Sequence, residues 1–363
     1  MKIAITGLRG IPDVMGGVET HCEEMLPRVR SHAPDAAITV FARAPYVAEA
    51  DYGFRGVRVV ALPSPRRVSL EAIIATFNAV LAARRTGAEI IHIHAIGPSL
   101  LVPLARALGL KVVMTHHGED YNRAKWGRFA SGMLKLGERL GVRYAHRVIA
   151  VSPSLTTRLK TRFPDRAARI DYIPNGAPQL PEPRLAVLEQ FDVTPGSYLL
   201  AVGRLVPEKG LHDLIDAHLA SDDPRSLIIA GGADHESNYS RSLLARADER
   251  IVFAGLQDRA ALRALYENAA LFVMPSYHEG LPIAALEAAS CGTPMLLSDI
   301  QPNRDLGLAP AHYFPVGNVD ALRAALASPA AHYAVDAGHF RTAFDWDVIA
   351  AQTAETYRAV SEE

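Results

Sequence analysis

The chain has 363 residues, 38 Lys plus Arg against 39 Asp plus Glu, and 49% hydrophobic residues. That length suggests two domains. The near-zero net charge removes any whole-molecule case for a nucleic-acid partner, and two cysteines, Cys22 and Cys291, leave no room for a disulfide framework or a multi-cysteine zinc site. The N-terminal run MKIAITGLRG reads as a first strand ending in glycine, since a signal peptide needs a longer apolar region and a cleavage site. No apolar run approaches the ~18 residues of a spanning helix. The expected location is therefore cytoplasmic, or peripheral on the cytoplasmic face of the inner membrane.

Short β-branched runs alternate with longer helical stretches, the sign of parallel α/β folding. Strands are expected at Lys2–Thr6, Ile38–Ala42, Val57–Leu62, Ile90–Ile93, Val112–Thr115 and Val148–Val151, with helices near 18–30, 69–85, 97–108, 131–145 and 153–162. Ile173–Leu185 (IPNGAPQLPEPRL) carries four prolines and a glycine and reads as a linker. The alternation then restarts, with strands at Tyr198–Val202, Leu227–Ala230, Val252–Ala254, Leu271–Met274 and Met295–Ser298. Helices are expected near 210–219, 239–247, 258–268 and 282–290, and an amphipathic helix ends the chain beyond about Asp336. The fold class is α/β, with two doubly wound halves whose ligands sit past the carboxyl ends of the strands, in a cleft between them.

The loops after strands are where chemistry belongs. Gly7-Leu8-Arg9-Gly10 and Gly16-Gly17 follow the first strand, and Gly203-Arg204 with Lys209-Gly210 follows the first strand of the second half. Neither spacing is a dinucleotide fingerprint or a P-loop. Both offer backbone N–H groups at a helix start, where an anion is stabilised. Arg204 and Lys209 suit a diphosphate, one as a fork and one as a point charge.

The strongest local signal is SYHEGLPIAALE, Ser276–Glu287, after the strand LFVM. Pro282 suits the first helical position. Glu279 lies before the helix, where helix capping is the plain reading. Glu287 sits inside an otherwise apolar helix and needs hydroxyl or cation partners, such as a ribose diol. His116-His117-Gly118-Glu119 ends another strand, and His92 and His94 share a strand face. No spaced metal motif accompanies them, so a buried or ligand-facing role is favoured over metal, with His117 the better candidate for cleft chemistry. Residues 122–147 hold seven Lys or Arg, one acid (Glu138) and interleaved Trp126, Phe129, Met133, Leu134 and Leu136. Such a segment suits an anionic membrane surface, or equally a solvated helix packed on the first domain.

Taken together, GGVE, THHG, IPNG, GRLVPEKG and PSYHEGLPIAALEAASCGTP resemble the retaining glycosyltransferases of family 4, over nearly the whole chain. The opening GLRGIPDVMGGVETHCEEM resembles a subgroup that includes rhamnosyltransferases of polysaccharide assembly. The resemblance implies the GT-B fold, with an acceptor-binding Rossmann-like domain over 1–176 and a nucleotide-sugar-binding one over 177–343. The end helix, about 344–363, would pack back on the first. It implies that Arg204 and Lys209 hold the donor diphosphate and stabilise the leaving group. Gly16 and Gly17 would approach that diphosphate, Glu287 would hold the ribose, and Glu279 with Gly280, Leu281, Pro282 and Ile283 would hold the sugar and phosphate. His117 would sit by the reactive end and the acceptor. Asp305 stands in a loop where relatives often carry glutamate. The implied substrates are a nucleotide sugar (dTDP-rhamnose or a UDP-sugar) and a lipid-linked saccharide or polysaccharide. A cationic pair with helix N-termini can neutralise a diphosphate unaided, and no Asp-x-Asp motif is present, so no metal or other cofactor is expected. The alternatives are a sugar-nucleotide epimerase of the same fold and a non-catalytic sugar-nucleotide-binding subunit.

The neutral total conceals an asymmetry. Residues 1–176 carry 25 Lys or Arg against 14 Asp or Glu, and residues 177–363 carry 13 against 25. The positive half is the one expected to receive the acceptor.

Overall fold

The computed structural model describes residues 1–65, 71–122, 127–177, 180–233 and 236–363, with Asn122 described in its backbone only. Residues 69–70 of the second expected helix, 123–126 of the basic segment (Trp126 included) and 178–179 of the linker lie outside that set. The chain divides into two compact units: Met1–Gly176 with Trp346–Glu363, and Ala177–Asp345.

The first unit is built on eight strands: β1 (Lys2–Thr6), β2 (Ala37–Arg43), β3 (Asp51–Phe54), β4 (Val57–Leu62), β5 (Ile90–His94), β6 (Lys111–His116), β7 (Arg147–Ala150) and β8 (Ile170–Tyr172). They lie in the order β3-β4-β2-β1-β5-β6-β7-β8. Every neighbouring pair is parallel except β3–β4, a hairpin turned at Arg55 and Gly56, both with positive φ. Strands in the middle of such a sheet are covered on both faces, so they read as continuous apolar runs. β5 is fully buried, including His92 and His94. The helix Gly17–His32 packs Cys22, Met25, Leu26 and Val29 into the core of this sheet. The terminal helix Trp346–Glu362 belongs to the same core through Trp346, Ile349, Ala350, Ala354, Tyr357 and Val360.

The second unit has β9 (Tyr198–Val202), β10 (Ser226–Ala230), β11 (Ile251–Gly255), β12 (Leu271–Met274), β13 (Met295–Ser298) and β14 (Tyr313–Phe314). Their order is β11-β10-β9-β12-β13-β14, all parallel. Its core gathers Leu199, Leu214, Leu227, Leu271, Val273, Leu296 and Phe314. In both sheets the order reverses beside the first strand of the unit, and the loops leaving strands on either side of that reversal are the ligand-binding position of this architecture. They are the loops after β1 and β5, and after β9 and β12.

The basic segment forms a helix, Arg128–Tyr144, seated on the first unit by its glycines. A Cβ at Gly137 would stand 2.1 Å from the Ile96 carbonyl oxygen, and one at Gly141 2.4 Å from the Met114 sulfur. Its single acid, Glu138, is fully buried and accepts from His116 Nε2 at 3.1 Å and from Arg162. The opposite face presents Arg128, Phe129, Lys135, Leu136, Arg139 and Arg143 to solvent, with Phe129 82% exposed. No helix of the described residues is long and apolar enough to cross a membrane.

Candidate active site

In the second unit the site residues come from two loops, after β9 and after β12. Close approach of backbone sets the first. A Cβ on Gly231 would lie 1.9 Å from the Gly203 carbonyl oxygen, and one on Gly210 (φ +64°) 2.1 Å from that of Pro275. Both positions need glycine, and the second brings the turn Pro207–Lys209 against the segment after β12. Lys209 then lays its stem on Gly203 and its Nζ donates to Glu279 Oε1 at 2.6 Å. Ser276 Oγ donates to the same oxygen at 2.6 Å. Burial alone would push the Glu279 carboxyl up. The Lys209 charge, with the hydrogen bonds from Lys209 and Ser276, more than offsets that and holds it below the usual range. Arg204 is half-buried in the same loop.

Pro282 is the residue before the helix Ile283–Ser290 and not its first residue, as the sequence suggested. Its φ of −75° and ψ of 111° are extended, which places Gly280, Leu281 and Pro282 as the approach to the helix. The N-cap residue of this helix, Pro282, supplies no side-chain cap, so the first amides are offered to an anion at the positive end of the helix dipole. Glu287, one turn into the helix and half-buried, accepts from Tyr266 Oη at 2.9 Å. Its surroundings push it up to about 7, because desolvation outweighs the help of the Tyr266 hydrogen bond and the Arg259 charge. Asp305 follows the short helix Gln301–Arg304 and accepts from Gln301 Nε2 at 3.0 Å.

The remaining expected site residues lie in the first unit. Gly16 (φ +148°) precedes the helix Gly17–His32, and a Cβ there would meet Glu19 and Arg9 at 2.1 and 2.5 Å. Gly17 has open space around it, so sterics alone do not demand glycine there. The neighbouring Arg9 is engaged by Glu19, whose carboxylate takes both the Arg9 backbone N–H (2.9 Å) and its Nε (3.1 Å). His116 and His117 diverge: the first turns inward to Glu138, while His117 stands half-buried with Nε2 3.0 Å from His94 Nδ1. Burial, then the nearby imidazoles of His21, His92 and His116, hold His117 well below its ordinary value, so it is neutral at physiological pH.

Sequence reasoning missed the direct Lys209–Glu279 bond, Ser276 and Tyr266 as partners of the two glutamates, and His21, which sits beside His94 and His117. The period-two pairing of His92 with His94 was the one available sign of the last.

With this geometry described, comparison with known proteins adds the family. A "Glycosyltransferase Family 4" model matches residues 15–178, and a "Glycosyl transferases group 1" model matches residues 191–328. The chain is a glycosyltransferase of the GT-B fold, a family 4 domain followed by a group 1 domain. Its relatives include a glycogen synthase of Mycobacterium tuberculosis, 28% identical over 99% of this chain and 95% of that one. Among solved structures, the sucrose-phosphate synthase of Thermosynechococcus elongatus superposes with a TM-score of 0.82 at 21% identity, covering 99% of this chain and 98% of that one. Anabaena HepE, in a complex with UDP-glucose, gives 0.79 at 19% identity, over 99% and 100% of the two chains. The curated relatives that match over nearly the whole chain include glycogen and alpha-maltose-1-phosphate synthases, and a 2-deoxystreptamine N-acetyl-D-glucosaminyltransferase of Streptomyces fradiae matches 73% of the chain at 28% identity. Glycogen and maltose-phosphate synthases are not rhamnosyltransferases, so these relatives lend no support to the subgroup suggested by the N-terminal sequence.

The raised Glu287 has a consequence for stability. The folded chain holds its proton up to about pH 7, whereas the unfolded chain releases it near 4.5. Over that window the folded state binds more protons, so this carboxyl makes stability fall as pH rises. Replacing it by Glu287→Gln removes that component, and the thermal midpoint of the variant relative to the parent rises between pH 5 and 8. A constant difference across that range in a buffered thermal melt series would place the Glu287 titration outside the window.

Proposed function

We propose that this glycosyltransferase moves a sugar from a nucleotide-sugar donor to a hydroxyl of a lipid-linked saccharide or polysaccharide, with retention at the anomeric carbon and without a metal ion. The observation that carries the reading is the Lys209–Glu279–Ser276 bonding beside the uncapped start of Ile283–Ser290. Lys209 keeps N–H donors beyond the one given to Glu279. With Arg204 and the amides near Ile283 it forms a cationic, donor-rich surface of the kind a diphosphate needs as the sugar–oxygen bond breaks and charge gathers on the leaving group. Glu279, kept ionised, accepts from donor-sugar hydroxyls, and Glu287 accepts from the ribose. Gly16 and Gly17 let backbone approach the diphosphate, and neutral His117 serves the reactive end of the sugar. The nucleoside diphosphate departs, and the acceptor oxygen bonds to the anomeric carbon on the face it left.

A UDP-sugar is supported by HepE, whose structure was solved with UDP-glucose; dTDP-rhamnose is supported by the N-terminal sequence. A thermal-shift panel of nucleoside diphosphates and their sugars decides between them, because the correct donor raises the midpoint by mass action. A shift by uridine compounds and none by thymidine compounds assigns the first; the reverse assigns the second; no shift by any member overturns the donor reading.

Arg204→Ala and Lys209→Ala each remove ~2–4 kcal/mol of transition-state stabilisation, about 30- to 1,000-fold in kcat, with turnover of the parent unchanged by EDTA. Full activity in both variants would overturn the site, and inactivation by chelator would overturn the metal-free mechanism.

The exposed face of Arg128–Tyr144 supports peripheral attachment to an anionic cytoplasmic membrane surface, basic side chains meeting headgroups and Phe129 entering the interface. Vesicle co-sedimentation should rise with anionic lipid content and fall in Phe129→Ser. Binding indifferent to lipid charge would remove this reading.

A further inference from the structure

Three histidines converge inside the first unit from three separate elements: His21 from the helix Gly17–His32, His94 from the end of β5, and His117 from the loop after β6. One ring nitrogen of each lies within 4.8 Å of the others. The His21 ring centroid is 4.9 Å from that of His117 and 5.5 Å from that of His94. A zinc ion with bonds of about 2.0–2.1 Å holds its ligand nitrogens roughly 3.4 Å apart, so no pair of the three needs to close by more than about 1.4 Å.

The surrounding hydrogen bonds set the rings for this. His21 Nδ1 lies 3.0 Å from Asn175 Oδ1, an acceptor, so Nδ1 carries the proton and Nε2 presents its lone pair. An outer partner fixing the tautomer in this way is what histidine metal ligands use. His94 Nδ1 and His117 Nε2, 3.0 Å apart, share one proton. A cation takes that proton's place, and the imidazole that releases it carries a proton on its opposite nitrogen. His92 is excluded as a ligand because both its nitrogens are taken, by Tyr357 Oη at 2.6 Å and Thr115 Oγ1 at 2.7 Å; its ring stacks on His94 at 4.1 Å and fixes it. Cys22 Sγ lies 3.6 Å from His94 Nε2, the nitrogen that does not face His117. Of the three ligands His117 is the least buried, and so offers the way in.

We propose that His21, His94 and His117 form a site for one divalent transition cation of the zinc type. Three imidazoles with no carboxylate suit Zn²⁺, Co²⁺, Ni²⁺ or Cu²⁺ and reject Mg²⁺ and Ca²⁺, which require oxygen ligands. The fourth position is left to water. Occupancy commits the His117 lone pair to the metal, so the cation competes with the part proposed for His117 in transfer and acts as an inhibitor, not as a cofactor.

The full-length chain, stripped with EDTA and dialysed, should bind one equivalent of Co²⁺ with the visible ligand-field absorption of a tetrahedral site, bleached by Zn²⁺ and untouched by Mg²⁺. His21→Ala and His94→Ala should each weaken Zn²⁺ binding at least about tenfold in titration calorimetry. A featureless Co²⁺ spectrum from the unaltered chain overturns the site whether or not the variants fold. So does wild-type Zn²⁺ affinity in a folded His21→Ala chain, which would place binding at other histidines. None of these measurements involves turnover, so their failure is distinct from failure of the glycosyl-transfer reading.

Discussion

The second unit rests on backbone touching backbone at the ends of its strands. Gly231 against the Gly203 carbonyl and Gly210 against that of Pro275 leave no volume for a methyl group. Only because those segments meet can an ammonium at 209 bond a carboxylate at 279, seventy residues away along the chain. The same contact keeps Glu279 charged in a place where burial would otherwise protonate it. Elsewhere in the unit the Tyr266 hydrogen bond and the Arg259 charge do not offset the desolvation of Glu287, which is driven towards neutrality. Two glutamates eight residues apart thus hold opposite protonation preferences, set by whether their charged and hydrogen-bonding partners outweigh desolvation.

The first unit solves a different problem, since its interior is rich in histidine. His21, His92 and His94 are all held far below the ordinary imidazole value, chiefly by burial. His92 and His21 spend their polar atoms on Tyr357, Thr115 and Asn175, which is how a buried ring avoids the cost of lost hydration. His116 takes another course, pairing with the buried Glu138, and that pair anchors the basic helix whose outer face carries Phe129.

Much of the architecture was legible, for a physical reason. β1, β5, β6, β9 and β12 lie inside parallel sheets and are buried on both faces, so they stand out as short runs rich in Ile, Val and Leu. β3, β8 and β14 escaped notice because each closes or extends a sheet edge in two to four residues. Asp51–Phe54 has no apolar run to detect; it exists because the Arg55–Gly56 turn folds it onto β4. The chemistry-bearing loops were found from residue type and position after strands. Their partners were not, because Ser276, Tyr266 and His21 become meaningful only when distant segments meet. The neutral overall charge likewise resolves by unit. The first carries 26 Lys or Arg against 18 Asp or Glu, and the second 12 against 21.

The terminal helix Trp346–Glu362 has a bearing on how the molecule is made. It supplies Trp346, Ile349, Ala350, Ala354, Tyr357 and Val360 to a core whose other members lie before Gly176. Topologically, the second unit is an insertion within the first. The indole of Trp346 covers Gly176, and the Tyr357 hydroxyl satisfies buried His92, so both depend on the helix Trp346–Glu362. During synthesis the first 176 residues emerge with that wall of their core missing, while the second unit has every strand it needs before the last helix is translated. The core of the first unit is therefore completed by a segment synthesised after the whole of the second unit.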